Sequence, residues 1–134
     1  MSQTNVQAML NWSRFFRERD DEALFAMHAT DIELDVTFSL WIEQKTYIGH
    51  DGIRRFFRRW LEDLVNYEME VLDPVAAAGE RVVATIKDRA VGRRSRVPTQ
   101  RTFAEVLTFR DGKIVRMQLL DTRAAALKAV GLEG

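Results

Sequence analysis

Cysteine is absent from this chain. Disulfides, thiolate metal sites and cysteine nucleophiles go with it. Proline is scarce, with Pro74 and Pro98 the only two, and no linker, repeat or low-complexity tract divides the sequence. One domain over residues 1–134 is therefore expected. Net charge is missing too, because twenty basic residues balance twenty acidic ones. No overall field draws the chain to nucleic acid or to an anionic membrane. No apolar run approaches the roughly 20 residues of a membrane span, and Met1 to Asn5 is polar, without a signal-peptide core. A cytoplasmic protein is the expectation. The two histidines, His28 and His50, have neither a second imidazole nor paired carboxylates at ligand spacing, so no metal site is expected. Glycine-rich phosphate loops and nucleophile elbows are lacking.

What is present is apolar material for a core: 46% of residues are hydrophobic and 30% charged, the balance of a soluble globule. Val6, Met9, Leu10, Ser13 and Phe16, widened by Trp12 and Phe15, give a helical stripe over Gln3 to Arg19. Asp20 is placed to cap a second helix, Asp21 to His28. Ile32, Leu34 and Val36 alternate with Glu33 and Asp35 as in a strand. Thr37 to Ile48 reads as a loop carrying Phe38, Trp41 and Tyr47. Ile53, Phe56, Phe57, Trp60, Leu61 and Leu64 form the apolar face of a third helix, opened by Gly49-His50-Asp51-Gly52, with Asp51 as the capping carboxylate. Arg54, Arg55, Arg58 and Arg59 take its outer face, in reach of Glu62 and Asp63.

Strands follow over Tyr67 to Leu72, Arg81 to Val91, Thr99 to Arg110 and Lys113 to Leu120. Turns are placed at Ala78-Gly79-Glu80, at the basic Arg93 to Arg96, and at Asp111-Gly112, a type I′ hairpin signal. Asp121 is read as the cap of a last helix, Thr122 to Val130, closed by Gly131 with Leu132 as its apolar companion. Helices segregated from an antiparallel meander mean an α+β fold. The arginines at 89, 93, 94, 96 and 101 have no aromatic platform between them, so a nucleic-acid surface is not expected.

Three stretches carry a family resemblance. They are Gly49-His50-Asp51-Gly52-Ile53-Arg54-Arg55-Phe56-Phe57, then Phe109-Arg110-Asp111-Gly112-Lys113-Ile114-Val115-Arg116, and Ala126-Leu127-Lys128-Ala129-Val130-Gly131-Leu132. Together they resemble the SnoaL-like polyketide cyclase branch of the nuclear transport factor 2-like superfamily. Its relatives include ketosteroid isomerases, limonene epoxide hydrolases and scytalone dehydratases. The resemblance implies a cone: a curved, mostly antiparallel sheet wrapped around three helices of the N-terminal half, with a short C-terminal helix. It also implies an apolar pocket for a small ligand, cofactor-independent chemistry, and a homodimer.

The Asp111-Gly112 turn sets a register in which Arg110 pairs with Lys113. An unbroken ladder then puts Glu105 opposite Gln118, Phe103 opposite Leu120, Leu107 opposite Arg116 and Phe109 opposite Ile114. Alternation alone leaves open which face is the pocket. The resemblance implies that Glu105 and Gln118 face it, while Ala104, Val106, Met117 and Leu119 form the outer dimer surface. Val82, Ala84, Ile86 and Asp88 share the pocket side, with Asp88 opposite Arg101 or Phe103. Trp12, Phe16, Val36, Trp41, Phe56, Trp60, Ile86, Arg101, Phe103, Leu107 and Leu120 complete the expected pocket.

Glu105 lies between Phe103 and Leu107, where its charged form is disfavoured and its pKa rises. It is the expected acid or oxyanion donor, Gln118 its orienting partner, and Asp88 either a second acid or base or one half of a rim salt bridge with Arg101. By resemblance, Glu105 matches the oxyanion-hole acid of ketosteroid isomerases and Asp88 falls near the catalytic aspartate of limonene epoxide hydrolases. Val36 and Trp12 stand where the isomerases have their base and tyrosine. Ile86 and Gln118 stand where the hydrolases have an arginine and a second acid. The functions implied are a cofactor-independent isomerase, cyclase or dehydratase acting on an apolar carbonyl compound, a non-catalytic binding protein for such a ligand, or an epoxide hydrolase-like enzyme.

Overall fold

A computed structural model of the chain describes residues 2–37 and 45–132. Phe38 and Trp41 lie outside the described residues. The elements are α1 (Ser2–Glu18), α2 (Asp21–Ala26), β1 (His28–Val36), β2 (Thr46–Ile48), α3 (Gly49–Leu61), β3 (Leu64–Ala78), β4 (Arg81–Gly92), β5 (Pro98–Arg110), β6 (Lys113–Leu120) and α4 (Arg123–Ala129). The described strands form one six-stranded sheet in the order β2-β1-β6-β5-β4-β3. Only the β1–β6 pair is parallel. The expected α+β cone with a mostly antiparallel sheet is the fold observed.

The helix stripes do what their spacing demands. Met9, Trp12 and Phe16 of α1 and Ile53, Phe56 and Trp60 of α3 are buried against the inner sheet face. Leu10, at the edge of the α1 stripe, is exposed. Asp20 caps α2, accepting from the Ala23 amide. That helix ends at Ala26, and His28 opens β1 instead of closing the helix. For α3, Ile48 takes the N-cap position without a side-chain cap. Asp51 lies in the first turn and binds Arg54 at 3.2 Å, so its charge favours the helix start without capping it. Gly52 brings α3 onto β2, since a Cβ there would sit 3.1 Å from the Tyr47 carbonyl carbon. Leu64 belongs to β3.

Both residues of the Asp111-Gly112 turn have positive φ, 53° and 77°, as a type I′ turn requires. Arg110 pairs with Lys113 and Phe109 with Ile114, as the turn dictates. The ladder then slips by one residue between Thr108 and Phe109, and Thr108 pairs with Arg116. This bulge reverses the parity of the rest of β6. Glu105 therefore faces Leu119, not Gln118, and Leu107 faces Met117, not Arg116. Burial supplies the reason. An unbroken ladder would push the Arg116 guanidinium and the Gln118 amide into the core. The bulge buries Met117 and Leu119 instead, worth roughly 1.5–3 kcal/mol per side chain. Arg116 turns outward to Asp35 at 2.7 Å.

Two of the four residues expected at a dimer surface are thus interior: Met117 and Leu119 are 1% and 3% exposed within the main core. The other two, Ala104 and Val106, are on the outer face but fully covered. Helix α4 lays Ala126 and Val130 over them, with Leu120 packed alongside. The C-terminal helix takes the place expected for a second subunit. Thr122, not Asp121, caps it, accepting from the Ala125 amide at 3.1 Å. Gly131 (φ 80°) and the Leu132 amide bonded to the Leu127 carbonyl close it. Thr122→Ala is expected to cost about 1 kcal/mol in urea unfolding, and to raise hydrogen exchange first at α4.

Candidate functional site

Inside the cone, between α1, α3 and the inner sheet face, lies a cavity of about 30 Å³. Trp12 and Phe16 line it from α1, Phe56, Phe57 and Trp60 from α3, Tyr67 and Met69 from β3, Phe103 and Glu105 from β5, and Met117 and Leu119 from β6. The aromatics form a continuous layer. Trp12 stacks on Phe16 at 5.6 Å, Phe16 meets Phe57 at 5.4 Å, and Trp60 meets Phe103 at 5.6 Å.

Glu105 places a carboxyl in this wall. The residue is 3% exposed, and its Oε1 is buried with no hydrogen-bond partner. Its strand neighbours on the same face are Ala84 and Leu119, and neither stabilises a charge. Burial alone pushes its pKa from 4.5 to about 8. At neutral pH it is a carboxylic acid with a proton to donate.

Asp88 is equally buried but fully engaged. Arg101 grips it through two bonds of 3.2 and 2.8 Å, and the Tyr67 hydroxyl donates to it at 2.7 Å. The Arg101 guanidinium lies 4.3 Å above the Trp60 ring. Burial, followed by the Asp88 charge, holds the Tyr67 phenol well above its ordinary pKa. Asp88 is thus the rim ion pair, opposite Arg101, the first of the two residues the sequence left open. It fixes Tyr67 and Trp60, two walls of the cavity.

A second buried polar atom without a partner, on His28, was not legible from the sequence. Trp12 Nε1–H donates to His28 Nε2 at 3.0 Å, which places the His28 proton on Nδ1, buried and without a partner. Burial, reinforced by the nearby His50, lowers the His28 pKa from 6.5 to about 4. His50 Nε2 donates to the His28 carbonyl at 3.0 Å. The two imidazoles meet at 6.3 Å, but among the described residues no cluster of side chains could hold a metal ion.

Of the expected pocket residues, Trp12, Phe16, Phe56, Trp60, Phe103 and Glu105 line the cavity. Val36, Ile86 and Leu107 are buried in the same core behind it. Leu120 belongs to the outer cluster beneath α4. Gln118 pairs with Val106 and Asp35 on the outer face, so it cannot orient Glu105. Trp41 lies outside the described residues. Phe57, Tyr67, Met69, Met117 and Leu119 were missed. For the last two, the signal was the break from two-residue to three-residue apolar spacing between Ile114 and Met117.

A curved, mostly antiparallel sheet wrapped around helices, with an apolar interior, is the cone-shaped α+β fold of nuclear transport factor 2-like proteins. The model of the SnoaL-like domain matches residues 7–117, and the chain belongs to that family. Three solved structures share the fold. An NTF2-like protein of unknown function from Burkholderia pseudomallei is 22% identical with a TM-score of 0.78, covering 98% of this chain and 99% of its own. TerC, co-crystallized with polyporic acid, is 23% identical with a TM-score of 0.76, covering 95% and 97%. A protein of ketosteroid isomerase-like fold from Catenulispora acidiphila, in complex with trimethylamine, is 18% identical with a TM-score of 0.71, covering 93% and 92%. No protein of curated function matches the chain.

Proposed function

We propose that this SnoaL-like domain binds a small apolar carbonyl compound in its cone and polarises the carbonyl with the protonated Glu105. The observation that carries this reading is the buried, unpartnered Glu105 Oε1 in an aromatic cavity. A neutral acid there donates a hydrogen bond to a carbonyl oxygen and stabilises the negative charge that grows on it. Such a donor suits isomerisation, cyclisation or dehydration without a cofactor. That TerC was co-crystallized with polyporic acid agrees with a small-molecule role. Epoxide hydrolysis fits less well, because Asp88 is held by Arg101 and Tyr67.

Two observations favour non-catalytic binding as a second reading. Asp88, a candidate second acid or base, is committed to the ion pair that was its alternative role. The cavity is also far smaller than the ~300–1,000 Å³ of ordinary ligand sites.

Two substitutions separate the readings. Gln at position 105 keeps a hydrogen-bond donor but cannot transfer a proton, whereas Leu keeps neither. With a neutral cyclic enone as probe, Glu105→Leu is expected to weaken binding about tenfold, the worth of one hydrogen bond, and Glu105→Gln to change it little. With a β,γ-unsaturated cyclic ketone as substrate, Glu105→Gln is expected to lose turnover. Wild-type turnover in Glu105→Gln would remove Glu105 from the chemistry. Binding without turnover in the wild type would leave the binding protein.

A further inference from the structure

The cavity at Glu105, about 30 Å³, has room for two or three water molecules at most, each needing ~10–15 Å³. On the other side of a single layer of side chains, the structure holds a much larger space. A groove of about 780 Å³ runs between α3 and the α1–α2 corner. Phe16 and Phe57 belong to the linings of both the groove and the inner cavity. Their rings, 5.4 Å apart, form the partition. Phe16 is held from inside by its stack on Trp12 and its edge contact with Tyr67. Phe57 is only half buried and turns its outer side to the groove.

We infer that this groove is the binding site for the body of the ligand, and that the Phe57 ring is the partition that moves aside as the ligand's carbonyl end reaches Glu105. This rests on the role proposed above for Glu105 and extends it. The groove volume lies within the range of small-ligand sites, where the inner cavity does not. Leu24, Phe25, Phe57 and Leu61 give it an apolar floor. Its rim carries Arg19, Arg54 and Arg58 against Asp21, Glu22 and Glu62, so charges of the two signs balance and no net field selects an ion. The ligand class that fits is an elongated, uncharged, largely aromatic molecule with a carbonyl at its leading end. The buried Glu105 Oε1 at the inner end, without a hydrogen-bond partner, is available to that carbonyl through its carboxyl group.

Flavone (2-phenylchromen-4-one) is neutral, elongated and carbonyl-bearing, and serves as the probe. Trp12 and Trp60 line the inner cavity, so its arrival there quenches tryptophan emission. Saturable quenching is expected in the wild type. Leu61→Lys puts a charge on the groove floor at a half-buried position and is expected to weaken binding at least tenfold. Circular dichroism and the melting temperature check that this variant is folded. Phe57→Ala removes the partition and is expected to raise the association rate at least tenfold. Glu105→Leu is expected to weaken binding about tenfold. An unchanged Kd in folded Leu61→Lys overturns the groove as the site while leaving the role of Glu105 intact. An unchanged Kd in Glu105→Leu overturns that role, and with it the link between groove and cavity. An unchanged association rate in Phe57→Ala overturns the partition. Failure of the wild type to bind flavone overturns the ligand class and, with it, the inference.

Discussion

Glu105→Gln is expected to stabilise the protein by an amount that grows with pH. In the fold Glu105 holds its proton to about pH 8, whereas its ordinary value is 4.5. Between those values unfolding releases a proton, so this group lowers stability by about 1.4 kcal/mol per pH unit. Its favourable contribution is full below pH 4.5 and gone above pH 8. The difference between Glu105→Gln and wild type should be small at pH 4.5, about 3 kcal/mol at pH 7, and about 5 kcal/mol above pH 8. His28 acts with the opposite sign. Its pKa is about 4 in the fold against 6.5 ordinarily, so unfolding takes up a proton between those values. Its contribution is full above pH 6.5 and lost on acidification to pH 4, a change of about 3 kcal/mol. From pH 4.5 to 6.5 the two slopes cancel in the wild type, and Glu105→Gln unmasks the His28 slope. Urea unfolding at several pH values reads both. A Glu105→Gln difference that stays flat from pH 4.5 to 8 would mean that Glu105 ionises normally.

Asp88→Ala is expected to destabilise the protein by about 3 kcal/mol. It strips the Tyr67 hydroxyl of its acceptor and Arg101 of its partner. The Arg101 side chain is 45% exposed and recovers part of its hydration, which keeps the loss at the lower end for a buried pair. The Tyr67 hydroxyl is less able to do so. Tyr67→Phe is expected to cost about 1 kcal/mol, and the double mutant to show coupling above about 0.5 kcal/mol, because the two groups share one bond. Near-additive costs in denaturant unfolding would show that the Tyr67–Asp88 bond contributes little. Since Arg101 also lies on Trp60, the same change should loosen two walls of the cavity and raise the flavone Kd.

The helix at 2–18, its partner at 49–61, the hairpin at Asp111-Gly112 and the Gly131 cap were all legible, because each is written in neighbouring residues. Apolar spacing, a turn dipeptide and a residue that tolerates positive φ act over a few positions. That Val82, Ala84, Ile86 and Asp88 share one face of β4 followed from alternation for the same reason, whereas the structure decided between Arg101 and Phe103 as the residue opposite Asp88. Glu105 as a raised-pKa acid was legible from its apolar flanks, Phe103 and Leu107.

The bulge was not written locally. The turn fixes Phe109 opposite Ile114, and only competition for the core decides that the next residues slip by one. That slip carries Met117 and Leu119 inside, removes Gln118 from Glu105, and leaves the carboxyl without the partner expected for it. Nor could the chain announce that α4 would fold over Ala104 and Val106, that Trp12 would spend its N–H on His28, or that Phe57 would stand between a groove and a cavity. Each depends on residues far apart in the chain competing for the same space. The sequence determined most of the elements (though Thr46–Ile48, read as loop, is a strand), the class of fold and the chemical character of Glu105. The tertiary structure decided which side chains meet it, because burial is settled by the whole molecule at once.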